Sequence, residues 1–90
     1  MIDKIPPQPS NSFRIVLDLN RSEKRLDSIL LQAIKQQSEN LNLREISRTE
    51  YKELFNTGRI QIKGQNARPS SALAKGRTYV DILGFKQKGL

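Results

Sequence analysis

Apolar and polar positions along this chain follow two different periods. Over residues 13–19, Phe13, Ile15, Leu17 and Leu19 fall on one side and Arg14, Val16 and Asp18 on the other. That period of two, with β-branched content, predicts a half-buried strand. Leu26, Ile29, Leu30, Ala33 and Ile34 then recur at i, i+3, i+4, i+7 and i+8, the single apolar stripe of an amphipathic helix. Asn20 followed three residues on by Glu23 fits a capping box, with Ser22 as a competing cap. The first helix is therefore expected to open near residue 20 and to run to about residue 37.

Residues 38–46 lack a clean period. Leu41, Leu43 and Ile46 are apolar, but Asn40 and Asn42 interrupt them. A loop whose apolar side chains fold onto the core is expected, with a frayed continuation of the first helix as the alternative. The next signal is sharper. Ser47 with Glu50 forms a capping box, and Ile46 before it can staple to Tyr51. Tyr51, Leu54 and Phe55 make a buried face, and Gly58 supplies the left-handed stop. A second helix is predicted over residues 48–57. Fewer than three turns cannot stand alone, so packing must hold it.

Alternation returns over residues 59–63, with Ile60 and Ile62 inward and Arg59, Gln61 and Lys63 outward. Residues 64–66 suit a turn, and residues 68–71 a loop with Leu73 as a core anchor. Lys75, Gly76 and Arg77 suit a tight basic turn. A last strand is predicted over residues 78–83, where Tyr79 competes with Val80 and Ile82 for the buried side. Residues 1–12, rich in proline and without a period, are expected to form a flexible leader. Residues 84–90 are expected to form a loose basic tail. No internal repeat and no second domain are evident.

Ninety residues suffice for one modest core. With no Cys and no His, disulfides, thiol chemistry and the usual zinc sites fall away, and no metal or cofactor is expected. No paired carboxylates and no glycine-rich phosphate loop stand out, so the chain is not expected to be an enzyme. No stretch approaches the roughly 20 apolar residues of a membrane span, and residues 1–12 have no apolar run of the secretory kind. A cytoplasmic monomer away from membranes is expected.

Charge points to a partner. The net charge is +7, and it is segregated. Residues 1–40 hold six Lys/Arg against five Asp/Glu; residues 41–90 hold ten against four, and residues 58–80 hold no acid at all. Such a distribution favours a polyanion. Arg48 and Lys52, four apart, share a helix face, and Arg48 lies near free helix-end N–H groups that attract phosphate. Arg59 and Lys63 lie outward on the following strand, and Lys75 and Arg77 flank a glycine. If that strand packs beside the second helix, these cations form one basic surface. The short helix with its acids fits a major groove poorly; a helix–strand ridge suits the shape and phosphates of structured RNA better.

With these residues in view, the chain resembles the RNA-binding domain named after small-subunit ribosomal protein S-four, also called the alpha-L motif. The resemblance rests on Arg25-Leu26-Asp27, Ser47-Arg48, Gly58-Arg59-Ile60-Gln61-Ile62-Lys63-Gly64, Arg68-Pro69-Ser70 and Lys75-Gly76, in that order. It covers residues 25–83, and the preceding strand looks most like the leading domain of large-subunit pseudouridine synthases. It implies an α+β domain over residues 13–83, with two or three short helices packed on a small, mainly antiparallel sheet. It implies RNA contacts at Arg25, Ser47, Arg48, Lys52, Arg59 and Lys63, and an Asp27 that orients arginines. Structured RNA, ribosomal or transfer, is the implied partner. Two positions depart from the family pattern. Lys63 stands where Asn is usual before the turn glycine, and Arg77 where Asp is usual after the later one. Two other readings remain open: a protein-interaction domain of the same fold, and the RNA-targeting domain of a larger RNA-modifying enzyme.

Overall fold

The computed structural model describes residues 5–85. Its elements in chain order are β1 (Ser12–Leu19), α1 (Leu26–Gln36), α2 (Leu41–Arg44), α3 (Arg48–Asn56), β2 (Ile60–Ile62), β3 (Gln65–Asn66) and β4 (Gly76–Leu83). The strands form one antiparallel sheet in the order β1-β4-β2-β3. Helices cover one face of it, so the domain is α+β with two layers.

The core lies between those layers. Phe13, Ile15 and Leu17 of β1, Ile60 of β2, and Val80 and Ile82 of β4 meet Leu26, Leu30 and Ile34 of α1 and Tyr51, Leu54 and Phe55 of α3, all buried. Both periodicities are thereby satisfied. Burying each large aliphatic side chain is worth about 1.5–3 kcal/mol relative to leaving it exposed. Val80 and Ile82 take the core side. Tyr79 faces the opposite side of the sheet, where the Arg14 guanidinium stacks 5.3 Å from its ring centroid.

The first helix opens later than the spacing of Asn20 and Glu23 suggests. It starts at Leu26, and its N-cap, Arg25, makes no side-chain capping bond. Glu23 is instead engaged in a β-bridge, its N–H donating to Leu73 O at 2.9 Å and its O accepting from Leu73 N at 2.8 Å. The free N–H groups of Leu26 and Asp27 donate to the carbonyls of Ser71 (2.9 Å) and Pro69 (3.0 Å). A distant loop thus does what a local cap was expected to do.

Residues 38–46 hold a short helix rather than only a loop. Asn40, which looked like a helix breaker, is the N-cap of α2 and accepts from Leu43 N at 3.0 Å. Leu43 and Ile46 fold into the core as expected, whereas Leu41 is exposed. Lys35 closes the far end, its ammonium donating to Arg44 O and Ile46 O.

The predicted signals at α3 are present. Ser47 and Glu50 form the reciprocal capping box. Gly58, at φ +72°, follows Thr57, with Gly58 N bonded to Phe55 O and Arg59 N to Leu54 O, which is the Schellman arrangement.

The hairpin after α3 differs from the expectation. Ile62 pairs with Gln65, so the turn is Lys63-Gly64 alone, and Gln65-Asn66 is a strand. Both turn residues have positive φ, +53° and +78°, as a two-residue type I′ connection requires. Lys63 is therefore a turn residue, not an outward strand residue. Likewise β4 begins at Gly76, so Gly76 and Arg77 belong to the strand rather than to a turn.

The described part of the leader is tied down. Arg14 makes a two-bond pair with Asp81 (2.7 and 2.9 Å) on the back of the sheet and donates to the carbonyls of Pro6 and Pro7. Ser12 donates to Pro9 O. Of the expected tail, Gly84 N bonds Asn11 O, and Phe85 packs on the core; residues 1–4 and 86–90 lie outside the described residues.

Candidate nucleic-acid interface

Three of the sequence-predicted cations converge. Arg25 at the start of α1 and Arg48 and Lys52 on α3 line one open groove of about 540 Å³. Its floor is apolar, from Leu31, Tyr51 and Phe55, and Pro69 closes one side. The placement follows from the backbone. Residues 69–71 hold the start of α1, and the capping box fixes where α3 begins, so the two helix starts and their cations share one opening. Tyr51 joins them: its hydroxyl donates to Asp27 O at 2.7 Å, and its ring meets Phe55 edge-on at 5.3 Å. Burial pushes the Tyr51 phenol well above its ordinary pKa.

Asp27 acts on Arg25 as the resemblance implied. Arg25 Nε and Nη2 each donate to the Asp27 carboxylate at 3.1 Å. That contact raises the Arg25 pKa and holds the Asp27 carboxyl below the usual carboxylate range. The Arg25 side chain is still 57% exposed. A planar guanidinium held in place by one carboxylate keeps other donors directed outward.

The remaining predicted residues do not join this groove. The Ser47 hydroxyl is committed to Glu50, accepting from its N and donating to its carboxylate, both at 3.1 Å. Arg59 lies at the other end of β2, where a Cβ built on Gly84 would come within 3.5 Å of its Nη1. Lys63 and Arg77 line a second groove of about 760 Å³, across the 67–74 loop from the first. Arg77 sits opposite Asp18 in the β1–β4 register and approaches its carboxylate at 3.6 Å. Tyr79 and then Asp18 raise the Arg77 pKa. Lys75 is exposed just before β4. The expected single basic surface is thus divided: Arg25, Arg48 and Lys52 line one groove, Lys63 and Arg77 another, and Arg59 and Lys75 neither.

Sequence reasoning missed Arg21 and Lys24. With Ser22, Glu23, Arg25, Ser28 and Ile29 they line a depression of about 420 Å³ adjoining the first groove, where Arg21 approaches the Glu23 carboxylate at 3.4 Å. The dense run Arg21-Ser22-Glu23-Lys24-Arg25 was the available signal. Among the described residues, no group of three or more acidic side chains could hold a metal ion, and no helix is long and apolar enough to cross a membrane. No protein-family model, curated protein or solved structure matches the chain.

Proposed function

We propose that the chain is a non-catalytic module that binds structured RNA, ribosomal or transfer, through phosphate and shape contacts at the Arg25/Arg48/Lys52 groove. The observation that carries this reading is the convergence of those three cations on one opening, with the nearby Asp27 carboxylate already engaged by Arg25. The helix-start N–H groups of α1 are already taken by Ser71 and Pro69, so phosphate oxygens would be met by the guanidinium and ammonium groups. The wide, shallow minor groove of an RNA helix, with its 2′-hydroxyls, can meet the cations on the rim of this open groove without insertion of a recognition helix. The resemblance to the S-four-type domain agrees, since Arg25, Arg48 and Lys52 are among the contacts it implies. The reading includes a cytoplasmic monomer. The alternatives, an acidic protein partner or targeting of a larger enzyme, have no separate observation in their favour.

The test compares two single charge reversals with equal effect on net charge. Lys52→Glu lies in the groove; Arg44→Glu is exposed on α2. Binding to a ribosomal RNA hairpin is measured by fluorescence anisotropy at low salt. Lys52→Glu is expected to weaken binding about tenfold or more and Arg44→Glu only a few-fold. Equal losses would place the contact elsewhere, and no binding by the unaltered chain would end the RNA reading.

A further inference from the structure

The second groove has a different chemistry from the first. Lys63 and Arg77 supply charge, Tyr79 an aromatic ring, and Gln65, Asn66 and Thr78 hydrogen-bonding groups of both senses. Its volume, about 760 Å³, lies in the range of sites for small ligands. A duplex presents mostly phosphates and sugars to a shallow surface. An unpaired nucleotide presents a flat ring and a free hydrogen-bonding edge, which an aromatic with amides and a hydroxyl can meet.

Lys63 adds an independent indication. It holds φ +53° at the first turn position, where Asn or Gly is cheap and a long side chain is not. A residue kept in an unfavourable conformation beside a groove suggests that its side chain is used. We propose that this groove is a second RNA subsite that takes an unpaired nucleotide flanking the structured element held by Arg25, Arg48 and Lys52. The inference rests on the RNA-binding reading above.

In this arrangement Lys63 and Arg77 take the flanking phosphate, and the base takes the face of the Tyr79 ring that Arg14 does not cover. The 67–74 loop stands between the two subsites, with Pro69 on one groove and Ser71 to Ala74 on the other. Asp18 is the opposing group. Its carboxylate, 3.6 Å from Arg77, competes with phosphate for that guanidinium.

The experiment uses the full chain with three RNAs: a blunt hairpin, the same hairpin with about four unpaired nucleotides at its 5′ end, and one with them at its 3′ end. One extension is expected to bind about tenfold tighter than the blunt form, the scale of one stacked base with a phosphate contact. Lys63→Asn, which suits the turn, and Arg77→Gln should each remove most of that gain and affect the blunt hairpin much less. Asp18→Asn should enlarge the gain. If neither extension binds tighter, or if Lys63→Asn weakens blunt and extended RNA equally, the second subsite is wrong while the first stands. If no hairpin binds at low salt, the RNA reading itself fails and takes this inference with it.

Discussion

At the scale of single residues, two backbone positions and one carboxylate carry consequences that contacts alone do not reveal. Lys63 occupies a left-handed conformation that costs an L side chain roughly 1–2 kcal/mol. Asn tolerates it better, so Lys63→Asn is expected to raise stability by about 0.5–1 kcal/mol, read as a higher urea midpoint at unchanged m. Gly58 is the opposite case. At φ +72°, a Cβ there would also lie 2.9 Å from Asn66 Nδ2. Gly58→Ala should therefore cost about 1–2 kcal/mol or more, and a urea midpoint equal to that of the unaltered chain would contradict the geometry. Asp27 makes stability pH-dependent. The Arg25 hydrogen bonds lower its folded-state pKa, so the unfolded chain binds the proton more readily. The contribution is complete above the ordinary aspartate pKa of about 3.9 and is lost as pH falls through the lower folded value. Between pH 5 and pH 2.5, Asp27→Asn should lose less stability than the unaltered chain, with urea midpoints as the measure.

Among the elements, α2 and α3 show how local signals and distant partners divide the work. The start and stop of α3 were legible because each is written within a few residues: Ser47 with Glu50, then Gly58. The start of α1 was not, because its N–H groups find Pro69 and Ser71, more than forty residues away. No local pattern encodes that, and Asn20 with Glu23 imitated a cap that the pairing with Leu73 displaced. The short α2 was obscured for another reason: an Asn inside a short apolar stretch reads as a breaker unless it is the cap itself. Leu43 at the centre of α2 is fully buried and Leu41 is 57% exposed. Leu43→Ala should cost about 2–5 kcal/mol and Leu41→Ala less than about 0.5. Comparable costs in thermal or urea unfolding would mean that α2 packs by the other face.

Across the whole molecule, charge segregation along the chain does not reveal how the cations are distributed in space. Composition sums charge along the chain, whereas a groove depends on which turn reverses it. Lys63, in the β2–β3 turn, lines the same groove as Arg77, and Asp18, opposite Arg77 in the sheet, reduces the charge presented there. Arg25, Arg48 and Lys52 share one groove, and the Tyr51 hydroxyl, donating to Asp27 O, ties α3 to the start of α1 there, a contact visible only in three dimensions. If the chain binds RNA as proposed, this geometry sets the salt dependence. Each phosphate neutralised contributes a slope of about −0.9 in log K against log salt for duplex contacts, and about −0.7 for single strands. Arg48 and Lys52, with Arg25 shared with Asp27, predict a slope of about −1.8 to −2.7 for a blunt hairpin. Lys63 and Arg77 should steepen it by about 0.7–1.4 on the extended RNA, toward the smaller value because Asp18 competes for Arg77. Substituting Arg48 and Lys52 with Gln should flatten the blunt-hairpin slope by about 1.8. Substituting Lys63 with Asn and Arg77 with Gln should leave that slope nearly intact and remove only the increment of the extension. Anisotropy titrations from low to moderate salt separate the two pairs. A single continuous basic surface would instead let both pairs flatten the blunt-hairpin slope alike.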